Sequence, residues 1–386
     1  MRVILLHQYY KTPEEGGGIR SWYLCRALKE AGHEVEVVTA WNEKESKTVL
    51  IDGYPVHYLS VHYSNDLGFF SRIWSFTAFF IAAYKKVNSL SQPDFIYAIS
   101  TPLSIGALAK WIRWRKSIPY FFEVGDLWPD VPVQMGYLRS PLLIRILKSL
   151  ELSIYQSAKG IVAMSPAMLD YFNDLGYGKK TICVTNFSDL TLTNTPSHEK
   201  ERTDSFTVAY AGTLGKANHL SYLIDLAEEA QKRGLKNFQC IIMGEGAEEP
   251  LLKKMIAERG LSNVSLLPHS AKPTAINVLK SASMAYLSFG PYDKLWTGSP
   301  NKYFDALAIG KPILCNFGGW IGDEITDKKC GVVYSPFDPQ SFFDVNWASL
   351  QADDTLKKMG ENAQELAQKS YALDKQIPKW LTFLSR

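Results

Sequence analysis

Residues 206–216 read Phe206-Thr207-Val208-Ala209-Tyr210-Ala211-Gly212-Thr213-Leu214-Gly215-Lys216. A short run of apolar and β-branched residues followed by glycine predicts a buried strand that ends in a tight turn. Glycine lets the backbone approach a ligand closely at the carboxyl end of such a strand. We therefore predict that Gly212, Thr213, Gly215 and Lys216 contact a phosphate group. The alternative is a plain strand-to-helix turn with a solvated lysine.

Short apolar runs alternate with helical segments on both sides of this turn, which predicts parallel sheets covered by helices on both faces. The predicted strands lie at 3–6, 35–39, 95–99, 120–123, 160–164, 182–185, 207–211, 239–243, 264–267, 284–287, 312–315 and 331–334. Residues 188–205 are polar and lack a sustained period, so we predict a linker there.

The predicted fold class is α/β, with two doubly wound, Rossmann-like domains that face a cleft. We place the first domain at 1–187, the second at 206–370 and a carboxyl-terminal helix at 371–386. Ligands of open α/β sheets bind beyond the carboxyl ends of the strands. Candidate site residues are therefore sought in the loops that follow strands.

Two further glycine turns follow predicted strands. Gly16, Gly17 and Gly18 precede Arg20 at the start of a helical pattern, where backbone N–H groups are available to an anion. We predict that these four residues form a loop that contacts phosphate or acceptor, although they do not complete a dinucleotide-binding fingerprint. After the strand at 239–243, Gly244 and Glu245 are predicted to contact the base or ribose. A plain turn explains that pattern nearly as well.

The most specific pattern lies at 296–313, Trp-Thr-Gly-Ser-Pro-Asn-Lys-Tyr-Phe-Asp-Ala-Leu-Ala-Ile-Gly-Lys-Pro-Ile. Ser299 suits a helix N-cap, Pro300 suits the first helical position, and Gly310 suits the end of a helix of about three turns. The helix start is an anion site, with Lys302 in its first turn. Asp305 follows on the same side, where a carboxylate can accept hydrogen bonds from ribose hydroxyls.

We predict a catalytic role for Lys302 on these grounds. The predicted donor-binding residues of this segment are Thr297, Ser299, Pro300, Asn301 and Asp305.

Two carboxylates, Glu123 and Asp126, lie at the end of the predicted strand 120–123. A carboxylate there can accept a proton or position an acceptor hydroxyl, so we predict that both are catalytic. The alternative for Asp126 is a structural role, as a helix cap or as the partner of an arginine.

Charge is unevenly distributed along the chain. The 42 Lys+Arg and 39 Asp+Glu leave a net charge of +3, which argues against a dedicated nucleic-acid binder. Residues 68–160, however, contain 11 basic and 5 acidic residues, whereas residues 191–386 contain 22 of each. Trp111, Arg113 and Trp114 lie in the basic segment, and rings beside cations are typical of elements on an anionic membrane surface. We predict that these three face a membrane; the alternative is a soluble surface helix with snorkelling cations.

No metal ion and no cofactor besides the substrate is expected, because the five cysteines are widely separated and no Asp-x-Asp follows a predicted strand. The most apolar stretch, 67–84, is interrupted by Arg72, so a membrane-spanning helix is not expected. The first residues do not resemble a signal peptide. We expect a cytoplasmic protein that is peripheral on the inner face of the cytoplasmic membrane.

Taken together, these motifs resemble the retaining glycosyltransferases of family 4, which have the two-domain GT-B fold, and most of all the bacterial subgroup that builds O-antigen, capsule and exopolysaccharide. The resemblance covers nearly the whole chain. It rests on Gly16-Gly17-Gly18-x-Arg20, Asp126-Leu127-Trp128-Pro129, the turn at 211–216 and the segment at 299–312.

The resemblance implies that the second domain binds a nucleotide-diphosphate sugar, with UDP as the expected nucleotide, and that the first binds the acceptor. It implies transfer of a hexosyl or N-acetylhexosaminyl group with retention and without a metal, and a carboxyl-terminal helix that crosses back to the first domain. Because the first domain carries the basic aromatic segment, the expected acceptor is a polyprenyl-diphosphate-linked saccharide at the inner membrane surface.

The chain departs from the family pattern at several positions. The family's Glu-x7-Glu pair, whose second member contacts ribose, is replaced by Thr297 and Asp305. Thr213 stands where an arginine is expected, and Lys216 or Asn218 lies near the expected lysine, so Lys302 is expected to supply the missing charge. Asp126 stands in place of a histidine. Two alternatives remain open: a nucleotide-sugar epimerase on the same fold, and an inactive membrane-surface scaffold.

Overall fold

The computed structural model describes residues 1–15, 18–64, 67–194 and 205–386. The chain divides into two compact units. Unit 1 comprises Met1–Thr185, Thr297–Ser299 and Ile377–Arg386, and unit 2 comprises Asn186–Trp296 and Pro300–Gln376. Each unit is built on its own twisted sheet with helices on both faces, so the predicted α/β class with two Rossmann-like domains is confirmed.

Unit 1 contains an eight-stranded sheet with the order β3-β4-β2-β1-β5-β6-β7-β8. Its strands are β1 Arg2–Leu6, β2 Glu34–Trp41, β3 Lys47–Ile51, β4 Tyr54–Ser60, β5 Phe95–Ile99, β6 Tyr120–Val124, β7 Gly160–Ala163 and β8 Thr181–Cys183. The sheet is parallel, as predicted, except at one edge, where β3 pairs antiparallel with β4. Asp52 and Gly53, with φ of 45° and 80°, form the hairpin turn between them.

The helices of unit 1 are α1 Arg20–Glu30, α2 Phe69–Ser89, α3 Leu103–Lys116, α4 Asp130–Gln134, α5 Pro141–Ser157 and α6 Pro166–Asp174. Ser140 and Ser165 cap α5 and α6, each followed by proline at the first helical position. Helix α2 packs against α3, and α3 packs against α5, so the three lie side by side. Helix α3 covers β5 and β6, all of whose residues are buried, and α2 packs on β2 and β4.

Unit 2 contains a six-stranded parallel sheet with the order β11-β10-β9-β12-β13-β14. Its strands are β9 Phe206–Ala211, β10 Phe238–Met243, β11 Val264–Leu267, β12 Met284–Leu287, β13 Ile313–Cys315 and β14 Gly331–Val333. The strand order reverses between β9 and β12, where ligands of doubly wound sheets bind. Side chains alternate between the two faces, since Val208 and Tyr210 join one core cluster and Ala209 joins the other.

The remaining helices are α7 Ser221–Lys232, α8 Glu249–Glu258, α9 Lys272–Ser281, α10 Asp293–Trp296, α11 Asn301–Ala308, α12 Gly319–Lys328, α13 Pro339–Val345, α14 Trp347–Leu350, α15 Asp353–Leu366 and α16 Leu373–Leu384. Helix α16 begins in unit 2, and its residues from Ile377 onward belong to unit 1. There the indole N–H of Trp380 donates to the Tyr97 hydroxyl at 2.8 Å. None of the described helices is long and apolar enough to cross a bilayer.

The predicted linker is partly folded. Residues 195–204 lie outside the described residues, but 188–194 pack on unit 2. The Ser188 hydroxyl donates to the Phe304 carbonyl at 3.0 Å, and the Lys280 ammonium donates to the Thr193 carbonyl at 2.9 Å. Leu190 and Leu192 pack against the apolar core of the unit, which explains why this polar stretch is not a free linker over its whole length.

Candidate functional site

Two glycine turns meet at the carboxyl ends of β9 and β10. The Gly212 N–H donates to the Met243 carbonyl at 2.9 Å, and the Leu214 N–H donates to the Glu245 carbonyl at 2.8 Å. Gly212 and Gly244 have φ of +149° and +153°, which side-chain-bearing residues rarely adopt. A Cβ on Gly244 would lie 1.8 Å from the Gly212 carbonyl oxygen. Glycine is therefore required where the two turns touch.

Lys302 in the first turn of α11 lies directly over Gly212. A Cβ on Gly212 would come within 2.2 Å of the Lys302 Cε, and the ammonium lies 5.1 Å from the centre of the Tyr210 ring. No carboxylate among the described residues lies within ion-pair distance of this ammonium. Desolvation lowers the pKa of Lys302 to about 8, although Asp305 acts in the opposite direction. A half-buried ammonium without an ion-pair partner is suited to bind an anion.

Asp305 lies one turn further along α11 and has a partner that the sequence analysis missed. The ammonium of Lys272, the first residue of α9, donates to Asp305 Oδ1 at 2.9 Å. The two side chains are only 19% and 17% exposed. Burial raises the pKa of Asp305, while Lys272 and Lys302 oppose that shift. The local signal for Lys272 was weak, since a lysine at a helix start is usually solvated.

The start of α11 differs from the prediction. Pro300 is the N-cap, Asn301 is the first helical residue and no side chain caps the helix, so Ser299 is not the cap. The helix has eight residues instead of three full turns, and Gly310 follows it with φ of +63°. The Tyr303 N–H donates to the Pro300 carbonyl at 3.1 Å, and the backbone N–H groups of Asn301 and Lys302 before it are left for a ligand.

The other predicted donor residues lie in the turn after β9, beside Gly244 and in the segment that leads into α11. The Thr213 carbonyl accepts hydrogen bonds from the Tyr210 hydroxyl at 2.8 Å and from the Asn218 amide at 2.9 Å, so Asn218 supports the turn. Gly215 and Lys216 lie in the same turn, Glu245 is exposed beside Gly244, and Asn301 is exposed at the start of α11. Thr297 and Ser299 belong to the three-residue segment that groups with unit 1.

In unit 1, Glu123 and Arg20 form a buried ion pair. Arg20 Nε donates to Glu123 Oε1 at 2.8 Å and Arg20 Nη2 donates to Oε2 at 3.0 Å, while the Tyr97 hydroxyl donates to Oε2 at 2.5 Å. Arg20 also donates to the carbonyls of Val184 and Thr185.

These contacts argue against the predicted roles of both residues. Glu123 is 0% exposed within β6, and its oxygens are engaged inside the unit. Arg20 is also buried, and its guanidinium is occupied by the carboxylate and two carbonyls. Of the predicted glycine loop, Gly16 and Gly17 lie outside the described residues, and Gly18 is exposed just before α1.

Asp126 has the environment expected of a functional carboxylate. It follows β6, is half-buried, and forms no hydrogen bond or ion pair with any described residue. Desolvation raises the pKa of its carboxyl. Among the described residues, Asp126 therefore neither caps a helix nor pairs with an arginine.

His7 is a second polar side chain at this edge, and the sequence analysis missed it. It follows β1, which is separated from β6 only by β5. Its Nδ1 lies 3.0 Å from the buried hydroxyl of Ser21, and its Nε2 has no partner among the described residues. Burial lowers the pKa of His7 to about 4, so the imidazole is neutral near pH 7. In the sequence, a histidine directly after the apolar run of β1 was the signal that could have indicated this residue.

The three residues predicted to face a membrane lie near the end of α3. Trp111 and Trp114 are 42% and 68% exposed, with ring centres 5.0 Å apart, and Arg113 is exposed beside them. The neighbouring helices α2 and α5 also expose large apolar side chains. These are Ile73, Trp74, Ile81, Leu142, Ile146 and Leu152. Exposed apolar groups are thus concentrated on one layer of helices in unit 1.

Metal-ligating side chains do not cluster in the part of the chain that the structure describes. No group of three or more His, Cys, Asp or Glu residues is placed there to hold an ion.

Comparisons with known proteins agree with this architecture. The chain is similar to a sucrose-phosphate synthase from Thermosynechococcus elongatus, with a TM-score of 0.76, 16% identity and coverage of 100% of this chain and 98% of that one. It is also similar to Anabaena HepE in complex with UDP and glucose, with a TM-score of 0.67, 15% identity and 99% coverage of both chains. WaaG, a glycosyltransferase of lipopolysaccharide biosynthesis, gives a TM-score of 0.68 at 13% identity over 98% of both chains.

Sequence comparison points to the same class. An α-D-kanosaminyltransferase from Streptomyces kanamyceticus is 24% identical over 170 residues, which is 43% of this chain and 42% of that protein. Residues 15–186 match the model of a glycosyl transferase 4-like domain, and residues 193–366 match the model of glycosyl transferases group 1. The chain therefore consists of a glycosyl transferase 4-like domain followed by a domain of the glycosyl transferases group 1.

Proposed function

We propose that this protein transfers a sugar from a nucleotide-diphosphate donor, with UDP as the nucleotide, and that unit 2 binds the donor. The observation that carries the proposal is the ammonium of Lys302, which has no ion-pair partner among the described residues and lies over Gly212 at the open start of α11. One structural neighbour supports UDP as the nucleotide, since HepE is described in complex with UDP and glucose.

The charge that develops during transfer matches this site. When the sugar leaves, negative charge accumulates on the β-phosphate of the nucleotide. Lys302 and the first N–H groups of α11 are placed to stabilise that charge without reorganisation. The glycine turns leave room for the phosphates to approach the backbone. Lys302 thus supplies the positive charge that a metal ion supplies in other transferases, and we propose a transfer that needs no metal.

Asp305 is the proposed ribose ligand. Its Oδ1 accepts a hydrogen bond from Lys272, which fixes the carboxylate in one orientation, and Oδ2 remains for a ribose hydroxyl. Lys272 is therefore a positioning residue for the donor. With an aspartate at this position, the ribose has to approach α11 more closely than it would with the longer glutamate.

The acceptor is proposed to be a polyprenyl-diphosphate-linked saccharide that binds unit 1. Asp126 is suited to accept a hydrogen bond from the attacking hydroxyl, because it follows β6 and has no described partner. The exposed apolar layer on α2, α3 and α5 would hold the protein at the inner surface of the cytoplasmic membrane. The transferred group would be a hexosyl or N-acetylhexosaminyl unit, retained in configuration, in the synthesis of a cell-surface polysaccharide.

The experiment compares turnover of a UDP-sugar panel by the wild-type protein and by Lys302→Ala and Asp305→Ala. We expect Lys302→Ala to lower kcat by about 100-fold or more, because it removes charge stabilisation in the transition state. Asp305→Ala should mainly raise KM, by about tenfold or more, because it removes a charged hydrogen bond to the ribose. EDTA should leave wild-type turnover unchanged, and NMR of the product should show retention.

Lys254→Ala and Glu258→Ala are the matched controls, since these residues form an exposed pair on α8 with side chains 67% and 64% exposed. Both controls should keep full activity. Full activity in Lys302→Ala and Asp305→Ala would refute the donor site. Product formation without an acceptor would indicate an epimerase, and a lack of UDP binding by the wild-type protein would indicate an inactive scaffold.

A further inference from the structure

A cavity of about 340 Å³ lies in unit 2 above the carboxyl ends of β12, β13 and β14. This volume falls within the range of about 300–1,000 Å³ that is typical of small-molecule pockets. The loops after these strands and the start of α7 form its walls. None of the residues of the Lys302 and Asp305 cluster lines it, so it is a separate site.

Aromatic rings form two walls of the cavity. On one side, the Phe317 ring lies 4.9 Å from that of Phe289 and 6.3 Å from that of Trp296, with an angle of 28° between the planes of the latter pair. On the other side, Tyr222 and Phe337 meet at 5.7 Å. Phe337 is 73% exposed, which is unusual for so large an apolar side chain. The cavity therefore offers flat apolar surfaces that the protein itself does not cover.

The Tyr222 hydroxyl is a polar group of the cavity that the protein's own hydrogen bonds do not occupy. Tyr222 is only 8% exposed, yet its hydroxyl forms no hydrogen bond with any described residue. The hydroxyl oxygen itself is not fully enclosed, so a ligand can reach it.

Asn316, by contrast, is fully engaged in holding the cavity walls. It accepts from the Phe289 N–H at 3.0 Å and donates to the Ser288 hydroxyl at 3.1 Å. These bonds join the loops after β12 and β13. The walls are thus held by the protein's own hydrogen bonds.

The charge of the lining limits the class of ligand. None of the described residues that line the cavity is a lysine, arginine, aspartate or glutamate. A phosphate or carboxylate would lose its hydration there without gaining an ionic partner. The ligand that fits is therefore neutral, with an apolar face for the rings and a hydroxyl for Tyr222.

We propose that this cavity binds a neutral sugar ring, stacked on the aromatic wall and hydrogen bonded to the Tyr222 hydroxyl. A pyranose combines a C–H face with hydroxyl groups at its edge, which is the combination that the cavity offers. The proposal rests on membership of the glycosyltransferases, whose substrates and products are saccharides, and it does not use the assignment of Lys302 or Asp305. The site would hold a sugar in addition to the one carried by the donor nucleotide.

Isothermal titration calorimetry on the full chain tests this proposal with glucose, galactose, mannose, N-acetylglucosamine and N-acetylgalactosamine. At least one of these should bind saturably. Tyr222→Phe should weaken that binding by about 3- to 10-fold, because it removes one hydrogen bond and keeps the ring. Phe337→Ala should weaken it as well, whereas Val345→Ala, which alters another side chain that is 74% exposed, should not.

Gly318→Leu is designed to fill the cavity, because a Cβ at Gly318 meets no heavy atom within 4 Å. It should abolish sugar binding, while Gly318→Ala, which adds one carbon, should retain it. UDP affinity and thermal unfolding of all these variants should match the wild type. Loss of UDP binding in Lys302→Ala with sugar binding intact would separate this site from the donor site.

Two results would overturn the proposal. One is the absence of saturable binding by all five sugars. The other is equal binding by the wild type and Gly318→Leu, which would place the sugar elsewhere. Binding of uridine that Gly318→Leu abolishes, without any sugar binding, would assign the cavity to a nucleobase instead.

Discussion

Burial of Lys302 disfavours the charged form of its side chain. Its side chain passes over Gly212, its ammonium lies against the Tyr210 ring, and desolvation lowers its pKa to about 8. A bound diphosphate would reverse that effect, because an adjacent negative charge favours the protonated amine. The residue is thus arranged so that its charge is stabilised mainly when an anion is present.

This arrangement predicts a pH dependence of UDP binding. The pKa of Lys302 lies near 8 in the free protein and would be higher in the complex, so binding takes up a proton above pH 8. The Kd for UDP should therefore stay constant from pH 7 to 8 and then rise by about tenfold per pH unit. Calorimetry at pH values between 7 and 9.5 would measure the Kd for UDP.

Lys302→Met is the control for this measurement. It should bind UDP weakly and show no dependence on pH over the same interval. A wild-type profile that is flat up to pH 9.5 would contradict the assignment of Lys302 to the diphosphate.

At the scale of single elements, α3 has one face in the protein core and another face exposed to solvent. Its inner face, which includes Leu108 and Ile112, is buried in the core of unit 1. Its last turns carry Trp111 and Trp114 on the outside, together with Arg113, Arg115 and Lys116. The rings beside cations in the sequence indicate a membrane-facing segment, but they do not reveal that α2 and α5 place exposed apolar groups beside it.

A flotation assay with liposomes that contain anionic lipid tests the role of α3. The wild-type protein should float with the vesicles. Replacing Trp111 and Trp114 by alanine, together with Arg113→Ala, should reduce the bound fraction by about tenfold, since each interfacial cation alone contributes about 1 kcal/mol. Because these side chains are largely exposed, the thermal stability should change little.

Val49→Ala with Leu50→Ala is the matched control, since both side chains are exposed apolar groups on β3, at 36% and 71%. This variant should float like the wild type. Equal flotation of all variants, or the absence of flotation with anionic and neutral vesicles alike, would contradict the membrane assignment.

At the scale of the whole molecule, one buried network joins distant parts of the chain within unit 1. Arg20 and Glu123 are 103 residues apart, and Tyr97 and Trp380 are 283 residues apart. Tyr97 connects the two pairs, because its hydroxyl donates to Glu123 and accepts from the Trp380 indole. The carboxyl-terminal segment is thereby joined to the ion pair beside the candidate acceptor edge.

Removing one partner of this network should lower the stability of unit 1 strongly. Glu123→Ala leaves the Arg20 guanidinium buried without a counter-charge, so we expect unit 1 to lose about 3–5 kcal/mol of stability. Chemical denaturation followed by circular dichroism would measure the loss. In a double-mutant cycle with Arg20→Ala, the two losses should not add, because both mutations break the same pair.

Arg2→Ala provides the comparison, since its partner Glu34 is 70% exposed and such pairs contribute about 0–1 kcal/mol. A loss in Glu123→Ala no larger than that of Arg2→Ala would contradict the structural role. Retained stability with lost turnover would instead restore Glu123 as a catalytic candidate.

Twelve of the fourteen described strands, both α/β units, the glycine turn after β9 and the α11 segment with Lys302 and Asp305 could be predicted from the sequence. These features depend on residues close together in the chain, where periodicity and turn chemistry act directly. The β3–β4 hairpin was missed even though Asp52-Gly53 is a known hairpin signal. The helix boundary at Ser299 was misplaced by one residue, the usual precision of such signals.

The roles of individual polar side chains were decided by tertiary structure. Glu123 and Asp126 are three residues apart and looked equivalent, yet one is buried against Arg20 and the other has no described partner. Lys272 reaches Asp305 from another helix, and the aromatic cavity combines loops after three strands. Local sequence determines which elements form, because their hydrogen bonds and periodicity are local. Only the packed fold decides which charges meet and which remain open, because those contacts join residues far apart in the chain.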